Sequence, residues 1–98
     1  MMRVEISEQV AEFVRTLAPD PRKALRAALR GLEREQGDIK ALEGPLKNYN
    51  RLRVAGYRIV FAYARGGKTI RCIYVERRAV IYEAFERLLK AALLGEDK

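Results

Sequence analysis

Apolar and polar residues alternate over Arg3-Val4-Glu5-Ile6, which predicts a short opening strand. Ser7 follows as a helix cap, with Glu8 and Glu12 in the first turns, where carboxylates suit the positive end of the helix dipole. Val10, Phe13, Val14 and Leu17 recur at helical spacing and form one apolar stripe; Ala18-Pro19 closes that segment. Asp20-Pro21 predicts a second helix start, and Ala24, Leu25, Ala28, Leu29 and Leu32 carry the apolar face to about Gln36. Arg22, Lys23, Arg26, Arg30 and Arg34 line its outer side. Ile39–Asn50, with Gly44 and Pro45, reads as a connector.

Beyond residue 50 the period changes to two. Arg51-Leu52-Arg53-Val54 alternates, Ala55-Gly56 turns, Tyr57–Tyr63 alternates again, Gly66-Gly67 turns, and Thr69–Val75 is a last strand. A helical period returns from about Val80 to Leu94, carried by Ile81, Phe85, Leu88, Leu89, Ala92 and Leu93. The order β-α-α-β-β-β-α predicts one α+β domain over residues 1–98: an antiparallel meander with a helical hairpin packed on one face.

The turns imply a register. A two-residue turn at Ala55-Gly56 pairs Val54 with Tyr57, Arg53 with Arg58 and Arg51 with Val60, and paired residues share a face. Leu52, Val54, Tyr57, Ile59, Phe61 and Tyr63 then face the helices. Closure at Gly66-Gly67 adds Ile70, Cys72 and Tyr74 to that side. It sets Arg58 opposite Val75 and Ala62 opposite Arg71. The open side becomes an apolar floor of Val60, Ala62, Ile73 and Val75, ringed by Arg51, Arg53, Arg58, Arg71 and Arg77.

Charge gives this face a meaning. The net charge is +7, from 20 basic and 13 acidic residues in a chain of 98. Residues 1–44 balance, so the excess lies beyond them, with nine basic residues and one acid, Glu76, between Lys47 and Arg78. Guanidinium groups stay charged at working pH and match phosphate in paired hydrogen bonds, so the face predicts a polyanion ligand. The bland alternatives are a solvated basic surface or one neutralised by an acidic protein. There is no histidine, which excludes imidazole acid–base chemistry and histidine metal ligands. Cys72 is the single cysteine, without a partner for a disulfide or metal cage; it reads as a small buried hydrophobe in a cytoplasmic protein. No apolar run is long enough for a membrane span, and no secretory leader is apparent.

Leu42-Glu43-Gly44-Pro45-Leu46, Tyr49 through Phe61 with its Arg-Leu-Arg-Val and Gly-Tyr-Arg-Ile-Val core, and Val75-Glu76-Arg77-Arg78 ahead of Ile81-Tyr82 resemble the RelE/ParE superfamily of toxins from toxin–antitoxin pairs. The resemblance implies a curved antiparallel sheet backed by a helical hairpin. In its RelE branch it implies a metal-independent endoribonuclease with no cofactor, cutting messenger RNA in the ribosomal A site by 2′-hydroxyl attack. Carried over by position, Arg51, Arg53, Arg58, Arg77 and Tyr82 are the catalytic candidates and Arg78 an RNA-binding one; Arg71, from the arginine face, and Lys47 join it as RNA-binding candidates. Arg51 and Arg53 replace lysines of the best-known RelE enzymes. Arginine is a poor general base, so Glu43, Lys47, Tyr82 and Glu76 remain as proton acceptors, with Glu43 in the loop where some relatives use a glutamate. The resemblance also implies an acidic antitoxin, with a homodimer or a toxin–antitoxin hetero-oligomer as the assembly. Two alternatives stay open: a ParE-like inhibitor of gyrase, and a degenerate toxin fold that only binds.

Overall fold

The computed structural model describes residues 1–77. The expected helix over Val80–Leu94, Arg78 and Tyr82 lie outside the described residues. β1 (Arg3–Ile6) leads into α1 (Glu8–Arg15) and α2 (Pro19–Gly31), followed by a short 3-10 turn, Leu32–Arg34. β2 (Asp38–Ala41), a second 3-10 turn (Gly44–Leu46), β3 (Asn50–Val54), β4 (Tyr57–Ala64) and β5 (Thr69–Arg77) complete the described chain. The five strands form one mixed sheet in the order β1-β5-β4-β3-β2, with β1 parallel to β5 and the other pairs antiparallel.

Local chemistry accounts for the helix ends. Ser7 Oγ accepts from the Val10 amide at 3.2 Å and donates to the Ile73 carbonyl at 2.8 Å, so one hydroxyl caps α1 and ties it to β5. Gln9 continues this edge: its side chain donates to the Val75 carbonyl at 2.9 Å and accepts from the Val75 amide at 3.0 Å. Once β1 has ended, two side chains thus satisfy backbone groups that a longer strand would have paired. α2 starts two residues earlier than the sequence suggests. Pro19 is its first residue and Ala18 its cap, which places Asp20 inside the first turn. Proline suits that place because its missing N–H has no intrahelical partner there.

The helices cover one face of the sheet. Val10, Val14, Leu25 and Leu32 pack on Leu52, Tyr57, Ile59, Phe61, Ile70, Cys72 and Val75 to form the main core. Burial pushes the Cys72 thiol up to about 12, as expected for an apolar environment. Phe13 meets Tyr57 edge-on at 5.8 Å between ring centroids.

The sequence predicts an antiparallel sheet, and β1 departs from this by running parallel to β5; two further features depart from the sequence reading. Asp38 and the start of the segment that reads as a connector form β2, pairing Asp38 with Arg53, Ile39 with Leu52, Lys40 with Arg51 and Ala41 with Asn50. It is a four-residue edge strand with charged residues on its outer face, too short for periodicity to reveal. The second of these is a bulge in β5. Tyr63 pairs with Ile70, Ala62 with Arg71 and Phe61 with Cys72, but Val60 then pairs with Tyr74. The extra residue, Ile73, inverts everything beyond it. Val75 faces the helices, Tyr74 faces away from them, and Arg58 stands opposite Glu76 instead of Val75.

Candidate anion-binding site

The β3–β4 turn puts two arginines side by side. Ala55 and Gly56 take φ of +45° and +85°, the left-handed pair of a tight hairpin turn. The register that follows is the expected one: Val54 with Tyr57, Arg53 with Arg58, Arg51 with Val60. Across four strands the row containing this pair reads Asp38, Arg53, Arg58, Glu76. Two cations in the middle are flanked in register by two acids.

The loop 42–49 folds back over the sheet beside this row. Leu46 and fully buried Val60 form a second small core, with Leu42, Tyr49 and Tyr74 packed around them. The Leu42 amide donates to the Tyr49 carbonyl at 3.0 Å and closes the loop base. The expected open apolar floor is therefore covered at Val60, and Val75 is on the other face. What remains open is a concavity of about 420 Å³. Its floor is Arg51, Arg53 and Arg58. One wall is Lys40 and Ala41 of β2, and the other is Leu42, Glu43 and Leu46 of the loop.

The three floor arginines differ in state. Arg53 is exposed and makes no ion pair among the described residues. Arg58 is half-buried. Arg51 is only 9% exposed; its Nη1 donates to the Asp38 carbonyl at 3.0 Å and pairs with the Asp38 carboxylate at 3.3 Å. Glu43 is exposed and caps the 3-10 turn Gly44–Leu46 through backbone position only, so its carboxylate is not spent on the cap.

Three other candidates lie elsewhere. Arg77 pairs in register with Tyr57, on the helix-facing side, and its guanidinium sits 5.4 Å from the Tyr57 ring centroid. The bulge carries it away from the arginine face where the sequence register had put it. Arg71 does face the open side, but it pairs with Glu5 at 3.3 Å. Its row is four β4 residues from Arg58, roughly 13 Å along the strand. Lys47 is exposed at the end of the 3-10 turn and does not line the concavity. Sequence reasoning missed Asp38 and Lys40. Their alternation around Ile39 was the signal, hidden by the brevity of β2.

A wider hollow, about 610 Å³, opens between Met1, Met2, Glu33, Arg34, Glu35 and the Gly67-Lys68 turn. It mixes both charges and contains none of the paired arginines. Beside it, the Tyr63 hydroxyl donates to Glu35 at 2.9 Å. Partial burial and that carboxylate together hold the phenol above its usual range. Among the described residues no cluster of three or more acidic or sulfur ligands could hold a metal ion, and no helix is long and apolar enough to cross a membrane.

No protein-family model matches the sequence, and no curated protein matches it. Solved structures do. The chain is similar to a protein in the archaeal RelE–RelB complex of Pyrococcus horikoshii, at 25% identity over 80% of this chain and 96% of that one, with a TM-score of 0.59. It is similar to one in the RelB–RelE antitoxin–toxin complex of Methanococcus jannaschii, at 24% identity over 83% and 98%, TM-score 0.65. It is also similar to the isolated RelE toxin of E. coli, at 21% identity over 90% and 99%, TM-score 0.61. Helical hairpin, five-stranded sheet and near-full coverage of the matched chains agree, and the chain carries the fold of the RelE/ParE superfamily of toxins.

Proposed function

We propose that this chain is the toxin of a toxin–antitoxin pair and that it is a metal-independent endoribonuclease, acting on messenger RNA in the ribosomal A site. The observation that carries this reading is the concavity where Arg53 and Arg58 lie side by side on the floor and Glu43 stands on the rim. Guanidinium groups stay charged and match phosphate geometry, so a phosphodiester seated there accepts paired hydrogen bonds from both.

The chemistry follows from these groups. Glu43 takes the proton of the 2′-hydroxyl. The 2′-oxygen forms a bond to phosphorus, and the bond from phosphorus to the 5′-oxygen breaks. Arg53 and Arg58 stabilise the negative charge that grows on the non-bridging oxygens, an electrostatic contribution largest where charge develops. The leaving 5′-oxygen takes a proton from water. The products are a 2′,3′-cyclic phosphate and a 5′-hydroxyl. Tyr82 and Arg78 keep the roles near the scissile nucleotide that the resemblance implies, while Arg77, against Tyr57 on the helix-facing side, is set apart from the concavity. Lys47 and Arg71 extend the basic surface beyond it.

An acidic antitoxin is the proposed partner. The support is the basic open face and the RelB chains in the archaeal complexes.

The test is end-mapping of messenger RNA on purified, magnesium-containing ribosomes with the protein added. Cuts with cyclic-phosphate ends are expected. Arg58→Ala and Glu43→Gln should each slow cleavage about a hundredfold, the scale of losing one transition-state contact or one general base. Absence of cuts, or cuts unchanged in Arg58→Ala, overturns the reading. The gyrase-inhibitor reading draws on one feature, the absence of a lysine base at positions 51 and 53. Loss of supercoiling activity with added protein, in place of RNA cuts, would select it.

A further inference from the structure

Arg51 and Arg53 are two residues apart on one face of β3, and both line the concavity. Sequence spacing gives them equal claims on a phosphate. The structure separates them. Asp38 is the direct register partner of Arg53, while Arg51 faces Lys40. Yet the Asp38 carboxylate pairs with Arg51, reached diagonally across the strand pair, and Arg53 is left without an ion pair among the described residues. Diagonal neighbours are within reach of long side chains. The second bond, from Arg51 to the Asp38 backbone carbonyl, fixes the guanidinium at the entrance of β2. Arg51 is 9% exposed, so the guanidinium end of the pair is enclosed, while the Asp38 side chain, 56% exposed, meets solvent.

We infer that Arg51 is a positioning residue and not a phosphate ligand: it engages the carboxylate in register with Arg53, which would otherwise neutralise that arginine, and it ties β2 to β3 so that this wall of the concavity stays in place. The inference rests on the RNA-cleaving reading for its ligand. Its structural half, the tie, stands on the two Arg51–Asp38 contacts alone.

The two roles give opposite signs. If Arg51 restrains Asp38, Arg51→Met releases the carboxylate to pair with Arg53, and RNA binding weakens. Removing the carboxylate charge as well, in Arg51→Met/Asp38→Asn, frees Arg53 and restores binding. If Arg51 binds phosphate directly, the double variant stays as weak as Arg51→Met. Asp38→Asn alone would then tighten binding by releasing Arg51. A general charge effect is controlled by Arg51→Met/Glu12→Gln, which restores the same net charge on exposed α1.

The experiment measures binding of a single-stranded RNA with a 2′-deoxy nucleotide at the mapped cut, alongside kcat and KM on the cleavable RNA. Arg51→Met should weaken binding about tenfold, the loss of one charge-assisted contact. The double variant with Asp38→Asn should return to within about threefold of wild type, and the Glu12→Gln control should not recover. Both KM and kcat should worsen in Arg51→Met, because Arg53 also stabilises the transition state, and both should recover in the double variant. No rescue, or tighter binding in Asp38→Asn, overturns the assignment. Amide hydrogen exchange on the same variants decides the tie independently. Exchange of the β2 amides should quicken in Arg51→Met while β4 is unchanged; unchanged β2 exchange overturns it. A wild-type protein that neither binds nor cuts RNA refutes the functional reading and with it the phosphate half, and the exchange data still judge the tie.

Discussion

Leu46 connects packing to chemistry, and Leu46→Ala tests that connection. The side chain is 8% exposed and sits on Val60, which is fully buried, in a small core separate from the helix-facing one. Truncation removes three apolar carbons, which corresponds to about 2.4 kcal/mol of burial at ~0.8 kcal/mol per methylene. Core Leu→Ala changes cost about 2–5 kcal/mol, with the upper end reserved for sites that cannot collapse. Leu46 belongs to a short loop over the sheet surface, so the loop can settle and the residual cavity is small. The expected loss is therefore about 2 kcal/mol. Leu25→Ala, in the eleven-residue main core under α2, should exceed it, at roughly 3–4 kcal/mol.

Urea unfolding of both variants gives these values. The functional consequence differs more sharply. Leu46 holds the loop that carries Glu43, so loosening it misplaces the proposed base, and small misplacements of a catalytic group cost one to two orders of magnitude in rate, about 10²-fold for ~1 Å. Leu46→Ala should slow cleavage at least tenfold with the protein still folded, whereas Leu25→Ala should retain its rate at temperatures where it stays folded. Exchange of the Leu42 amide, bonded to Tyr49, should quicken in Leu46→Ala. Equal stability losses in the two variants, or normal cleavage by Leu46→Ala with quickened exchange, would refute the reasoning.

Other outcomes follow from particular residues. Ala55 holds φ of +45° beside Gly56, a conformation that asparagine accepts more readily than alanine, so Ala55→Asn should raise stability by about 1 kcal/mol in urea unfolding. Gly37 has φ of +124°, and a Cβ there would stand 2.7 Å from a Leu52 methyl carbon, so Gly37→Ala should cost about 1–3 kcal/mol. Cys72 titrates near 12 in the folded protein and near 9 when unfolded. The unfolded chain loses its proton first, so the thiol's contribution is intact below pH 9 and stability falls between pH 9 and about 12. Alkylation of Cys72 at neutral pH should track unfolding, and rapid modification of the native protein would contradict its burial. Arg53→Ala should lower the salt dependence of RNA binding by about 0.7 in log–log slope, the value for one phosphate contact on a single strand.

The α+β architecture, the helical hairpin and the Arg53–Arg58 pair were legible in the sequence because each rests on local chemistry. Ser7 caps a helix wherever a helix begins there, and Ala55-Gly56 sets the β3–β4 register by geometry alone. The features that differ depend on contacts distant in the chain. β2 is four residues long and becomes a strand only because β3 is beside it. Ile73 is an unremarkable apolar residue in an alternating run, and nothing adjacent marks it as the extra residue of a bulge.

That bulge had the largest consequence for the site. One residue reverses the faces of Tyr74, Val75 and Arg77, replaces Val75 with Glu76 opposite Arg58, and puts Arg77 against Tyr57. Sequence periodicity propagates a register indefinitely, whereas a sheet resets it wherever packing requires.

The sequence by itself determined the charge excess beyond residue 44, the absence of histidine, and the placement of two arginines at directly paired positions of one hairpin. Composition and a two-residue turn suffice for these, since both are local. Only the tertiary structure decided which cations are available. Arg51 and Arg53 are equivalent by spacing, but the edge strand brings Asp38 to one and leaves the other open. The identity of a charged residue is written in the chain; its freedom to meet a ligand depends on which opposite charge the fold brings within reach, at the energy of a contact that exists only once the strands are paired.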